Sequence, residues 1–307
     1  MEVYSTGSAI HTGSLPRIQV VNDFIAFIRE ANELLQKEID LSPANQLVMG
    51  VISRLSQQLR SSYLPEEVQA VLSNEYIQTN QRQLQDKLSE AEFLTELSDS
   101  RQACDFHGTV MDIAKRLPNW PIYIALVGQE LSTLRRLTEQ GSHEPIVFVG
   151  SGPMPLSPII LHLLGDVEVV CVEMNPAAYE ASRALLEHMN VGTKVTVVLD
   201  NGSSFDYGSY NRIFVASLVR NKRAVLERIS RTSANPLVAV RTAEGMKQIM
   251  YEAIDEPELI NQGWRILGRT IPDEKLVINS TLFLERLTDL DAKSTKNARY
   301  TYLHSEC

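Results

Sequence analysis

The sequence predicts an α/β protein in two parts: a helical domain, then a parallel sheet wound with helices. Three observations carry this. From Leu15 to about Gln140, apolar residues recur at helical spacing, as Ile18, Val21, Phe24, Ile25 and Ile28 do. Beyond Gly141-Ser142, short apolar runs alternate with helical stretches, the pattern of a doubly wound sheet. The first of these runs ends in Gly150-Ser-Gly152, a glycine turn placed between a strand and a helix. The expected layout is a poorly ordered N-terminus over 1–15, a helical domain over 16–142, a Rossmann-like domain over 143–287 and a polar tail over 288–307.

The elements follow in order. The first helix continues through Leu34 and Leu35. Ser42-Pro43 starts a second, carrying Leu47, Val48, Val51, Ile52 and Leu55. Leu64-Pro65 opens a third, with Val68, Val71 and Leu72 as its buried face. A longer polar amphipathic helix is expected over 76–98, then helices over 101–117 and 121–139, separated at Leu117-Pro118-Asn119. The apolar stripes of all these helices read as bundle core. In the second part strands are expected at 146–149, 168–172, 195–199, 212–216, 237–241 and 276–285, with Trp264 to Arg269 pairing the last. Helices fit 157–164, 176–189, 221–232, 244–251 and 256–262.

Composition bounds the function. The chain has 307 residues, 44% hydrophobic and 22% charged, as in an ordinary globular protein. Its 29 basic and 38 acidic residues give a net charge of −9, which argues against a general nucleic-acid surface or an anionic membrane partner. The cysteines, Cys104, Cys171 and Cys307, form no C-x-x-C; so sparse a set fits a reducing compartment. Met1 to Gly13 lacks an apolar signal core, so cytoplasmic residence is expected. None of the six histidines forms an H-x-H or H-x-x-x-H pair, and no metal site is expected. A homodimer is compatible with the sequence.

The turn narrows the ligand. Gly150 and Gly152 permit a tight approach that side chains would block, and Ser157-Pro158 can cap and open the next helix. Strand, turn and helix make a crevice at the carboxyl end of the sheet. After Gly152 come Pro153, Met154 and Pro155; proline has no amide hydrogen to offer a pyrophosphate. The turn therefore suits a nucleoside without phosphates, and S-adenosylmethionine (SAM) is the natural candidate. Glu173 closes the next strand, 173 − 150 = 23 residues on. An acidic residue there meets ribose hydroxyls in such folds. The plain alternative is a turn that only connects strand to helix.

These residues also carry a resemblance. Val147-Phe-Val-Gly-Ser-Gly-Pro-Met-Pro-Leu-Ser157 resembles the nicotianamine synthase family, whose first strand ends in a V-G-S-G-P-x-P-L turn. Glu173-Met-Asn-Pro176, the run Tyr210 to Val219, Val240-Arg-Thr-Ala-Glu-Gly245, and Tyr251 with Asp255 continue the likeness in order. Upstream, Leu117-Pro-Asn-Trp-Pro-Ile-Tyr123 and Glu130 resemble the family's F-P-Y-Y-x-N-Y segment and a following glutamate. The resemblance implies a helical domain over a SAM-binding sheet. It also implies transfer of SAM's 3-amino-3-carboxypropyl (aminobutanoate) arm to an amine, with release of methylthioadenosine. One branch of the family condenses three SAM molecules to nicotianamine. A bacterial branch attaches one arm to histidine on the way to opine metallophores.

The same resemblance assigns roles. Asp105 of Asp105-Phe-His107 matches an E-x-H segment and is expected as base, beside His107 on the substrate. Tyr123 and Glu130, 130 − 123 = 7 residues apart on one helical face, are expected at the reacting groups. Gly150, Ser151, Gly152 and Pro153 would cradle SAM, and Glu173 its ribose. Asp200 and Asn201 would meet the adenine, while Ala216, Ser217 and Leu218 line the pocket under the sulfonium. Arg241 would hold a substrate carboxylate. Plain alternatives stand beside these: solvated carboxylates at Asp105 and Glu130, a half-buried aromatic at Tyr123, an ion pair of Arg241 with Glu244. Departures from the plant-like pattern, at Asp105, Asn119-Trp120 and Ile122, lie on the acceptor side. They favour a small-molecule amino acid, histidine, as acceptor over nicotianamine synthesis. An ordinary SAM methyltransferase and a non-enzymatic nucleoside binder remain as other readings.

Overall fold

The computed structural model describes residues 14–138, 144–271, 277 and 279–287. Residues 1–13, the junction at Gly141-Ser142 and the tail beyond 287 lie outside them. Four helices open the fold: α1 (Ser14–Lys37), α2 (Gln46–Leu59), α3 (Pro65–Leu72) and α4 (Glu75–Ala103). Their apolar stripes meet in one core, with Phe24, Ile28, Leu35, Val48, Leu55, Val71, Leu84 and Leu88 inside it. Helix α2 begins at Gln46 and not at Ser42-Pro43, because Asn45 accepts from the amides of Leu47 and Val48 and caps the helix there. Helix α4 runs past its expected end to Ala103, so the helix expected over 101–117 shrinks to α5 (Val110–Ala114). Gly108, at φ +138°, and a Thr109/Asp112 capping box start α5 late. Helix α6 spans Trp120–Leu137.

The sheet has seven strands: β1 (Ile146–Val149), β2 (Val169–Glu173), β3 (Val195–Leu199), β4 (Arg212–Val215), β5 (Leu237–Thr242), β6 (Trp264–Arg269) and β7 (Ser280–Arg286). Their order is β3-β2-β1-β4-β5-β7-β6. The first five run parallel, and β7 lies antiparallel between β5 and β6. Alternation along each strand feeds two layers. Phe148, Cys171 and Phe214 face α6, α7 (Leu156–Gly165) and α8 (Pro176–His188). Val147, Val172 and Ile213 face α9 (Lys222–Thr232) and α10 (Glu256–Asn261).

Two local differences bear on the site. Helix α7 starts at Leu156 behind Pro155, so Ser157 lies inside it and does not cap it. Where an α-helix was expected over 244–251 there is a 3-10 turn, Gly245–Ile249. This turn sends Met246 and Ile249 into the helical core. The side-chain amides of Gln81 and Gln85 both donate to the Gln248 carbonyl, at 2.6 and 2.7 Å. These contacts fasten α4 across the carboxyl ends of the strands. Among the described residues no helix is long and apolar enough to cross a membrane.

Candidate active site

The strand order reverses between β1 and β4, and a crevice opens at such a switch point. Here it is roofed by α2, α4 and α6 into a cavity of about 970 Å³. That is at the upper end of the 300–1,000 Å³ usual for small-molecule sites, and it leaves room for two ligands.

The floor is the glycine turn. Gly150 and Gly152 stand at φ +78° and +68°. A Cβ on Gly150 would come within 2.4 Å of Val219, and one on Gly152 within 2.8 Å of the Glu96 carboxylate. The backbone is thus bare where a ligand would lie against it. Glu173, 6% exposed, closes β2 beside the turn. Its two oxygens accept from the amides of Gly152 and Asn175 at 2.9 and 2.8 Å. Each keeps a second lone pair for a hydroxyl. Asp200, Asn201, Ala216, Ser217 and Leu218 line the same cavity, as do Ser151 and Pro153.

The roof carries two carboxyls that the sequence did not single out. Glu92 and Glu96 stand one turn apart on α4 and face the cavity. The Tyr123 hydroxyl donates to Glu96 at 3.2 Å, and the Tyr251 hydroxyl to Glu92 at 3.0 Å. Burial pushes the Glu92 carboxyl up to about 7, against the pull of Tyr251. Burial, then the neighbouring Glu92, pushes Glu96 well above the usual carboxylate range. Both phenols rise well above 10, through burial and then the carboxyls beside them, and so remain donors. Two adjacent carboxyls that resist ionisation form a site that favours incoming positive charge.

Arg241, 5% exposed, reaches the cavity from β5. Its Nε and Nη2 donate to Glu130 at 2.9 and 3.0 Å, and Nη2 also donates to Ser157 at 2.8 Å. Glu130 accepts from Thr281 as well, at 2.6 Å. Glu130 is fully buried and does not line the cavity. It holds the Arg241 side chain, so the structure places Glu130 behind the cavity wall and not beside Tyr123 at the cavity, where the sequence put it. Glu244 pairs with Arg269 and not with Arg241.

The structure also places Asp105 and His107 away from the cavity. Both are exposed, in the turn after α4, and neither lines the cavity. The longer α4 carries them past the mouth, and the carboxyls over the floor come from the middle of that helix. Among the described residues no group of three or more His, Cys, Asp or Glu could hold a metal ion.

Comparison with known proteins agrees with this architecture. The family model described as nicotianamine synthase protein matches residues 19–290. The chain belongs to the nicotianamine synthase family. Nicotianamine synthase 2 of Oryza sativa subsp. japonica is 27% identical over 183 residues, spanning 56% of this chain and 56% of that protein. Nicotianamine synthase 8 of Hordeum vulgare is 27% identical over 202 residues, spanning 61% of this chain and 60% of that protein. The chain therefore spans somewhat over half the length of these relatives. Among solved structures, MtNAS in complex with MTA and tNA shares the fold at a TM-score of 0.74 and 22% identity, covering 86% of this chain and 98% of that one. A mutant of MtNAS in complex with S-adenosylmethionine gives 0.72 and 20%, with the same coverage.

Proposed function

We propose that this member of the family moves the aminobutanoate arm of SAM onto the amine of an amino acid, with histidine as acceptor, in metallophore biosynthesis. The observation that carries the reading is the Glu96 carboxyl, seated over the glycine turn and bonded to Tyr123. Adenosine would lie on the turn, its ribose on Glu173 and its adenine beside Asp200 and Asn201. Arg241, held still by Glu130, would take the carboxylate of the arm. Its Nη1 has no partner among the described residues.

The chemistry follows from charge. Burial, and Glu92 beside it, raise the basicity of the Glu96 carboxyl. SAM's sulfonium and the acceptor's ammonium are both cations, and their arrival draws Glu96 and Glu92 to the carboxylate form. A carboxylate of raised basicity then takes the ammonium proton. The freed amine attacks the arm's γ-carbon, the carbon–sulfur bond breaks, and its electron pair leaves with sulfur as neutral methylthioadenosine. Position decides which of the three carbons on sulfur reacts: the nitrogen must stand in line at about 3–3.5 Å. Glu96 and Tyr123, together over the turn, supply that position.

A second reading, condensation of SAM molecules to nicotianamine, is favoured by the names of the relatives and by a cavity with room for two ligands. Mass spectrometry of the protein incubated with SAM, with and without L- or D-histidine, separates the two. A histidine adduct carrying one arm supports the first; nicotianamine formed without added amino acid supports the second. Methylated histidine would contradict both.

A further inference from the structure

Helix α2 presents two faces. Val48, Leu55 and Leu59 are buried in the helical core. Met49, Ile52, Ser53, Ser56 and Arg60, at helical spacing on another face, line the cavity. Packing of the bundle does not require polar groups on this second face. Arg60 has a further peculiarity: its side-chain Nε is buried and has no hydrogen-bond partner. The bonds that seat Arg60 come from its backbone N–H, which donates to the Gln57 and Gln58 carbonyls. The other two arginines on the cavity wall are engaged, Arg241 by Glu130 and Ser157, Arg220 by Asp86 and Ser89. Arg60 is thus the cavity arginine without a carboxylate partner among the described residues. A buried donor left unmade is costly and calls for an explanation.

We propose that Arg60, with Ser56 beside it, is the anchor for the acceptor's α-carboxylate. The proposal rests on the transferase reading and deepens it by naming the residue that recognises the acceptor's carboxylate. A zwitterion needs opposite charges at its two ends. Glu92 and Glu96 on α4 supply the negative end, and Arg60 on α2 the positive one. A guanidinium fork binds a carboxylate through two parallel hydrogen bonds, which an ammonium on the same stem does not reproduce. Arg241 is left for the donor's own carboxylate.

The test uses calorimetry on the full chain loaded with methylthioadenosine, so that binding is read without turnover. The probes are L-histidine, D-histidine and histamine, which lacks only the carboxylate. At least one histidine enantiomer should bind wild-type protein about ten- to a hundredfold more tightly than histamine. Arg60→Gln should erase that difference and leave SAM affinity within about twofold, which also reports a folded site; Arg60→Lys should restore part of it. Equal binding of histidine and histamine, binding of neither, or full histidine preference in Arg60→Gln would overturn the proposal. Release of methylthioadenosine from SAM by the wild type is followed separately. Its failure would sink the transferase reading, whatever Arg60 binds.

Discussion

Glu92 shows how one side chain ties stability to chemistry. Burial holds its carboxyl at about 7, above the 4.5 of a free one. Between those values the folded protein keeps a proton that the unfolded chain loses. Stability from this group is therefore whole below about pH 4.5 and is lost as pH rises through 7. Water in the open cavity tempers the loss. Glu92→Gln, neutral throughout, should stabilise the fold by roughly 1–3 kcal/mol at pH 8 and change little at pH 4. Urea midpoints at the two pH values check this, and equal midpoints for both proteins at pH 8 would contradict it. At the floor, Glu173→Ala removes a buried acceptor and should weaken SAM binding about ten- to a hundredfold by calorimetry. Tyr123→Phe, which keeps the ring but loses the hydroxyl on Glu96, should lower turnover and leave SAM affinity nearly unchanged; full turnover would reduce Tyr123 to packing. The glycine turn and Glu173 were legible in the sequence because both are local: a strand end and its neighbour state them. Glu92 and Glu96 were hidden in a polar helix where carboxyls read as solvated. A signal was there, since they extend the four-residue steps of buried Leu84 and Leu88.

Among the elements, the helices changed most between sequence and structure and the strands least. The run Ile146–Val149 is short, apolar and buried throughout, and the chain has few ways to bury it. Helix ends depend on caps and on what the next segment touches. Helix α4 continues because its last turns keep burying Ser100 and Ala103, while a 3-10 turn replaces a helix where Gly245 takes φ +56°. Pairs between distant elements were not legible at all: Glu130 and Arg241 are 111 residues apart. That pair joins α6 to β5, and Thr281 adds β7. Breaking it leaves a buried guanidinium uncompensated, so Glu130→Ala should cost about 3–5 kcal/mol. Thermal unfolding measures it, and a melting temperature unchanged from wild type would refute the structural role given to the pair.

For the whole molecule, alternation of strand and helix announced the doubly wound sheet, and the terminal strand pair was visible as a pair. The insertion of β7 between β5 and β6 was not, because periodicity carries no order. Nor did the sequence show the roof: α4 reaches the strand ends through long-range contacts such as Gln81 and Gln85 on Gln248. Roof and floor together enclose one cavity, and in the proposed reading this enclosure selects the aminobutanoate arm of SAM over its methyl group. The by-product decides it most directly. Purified protein is incubated with SAM and histidine, and the spent nucleoside is resolved by chromatography. The account predicts methylthioadenosine, formed far more slowly by Glu96→Gln at unchanged SAM affinity. S-adenosylhomocysteine as the sole nucleoside product would contradict it.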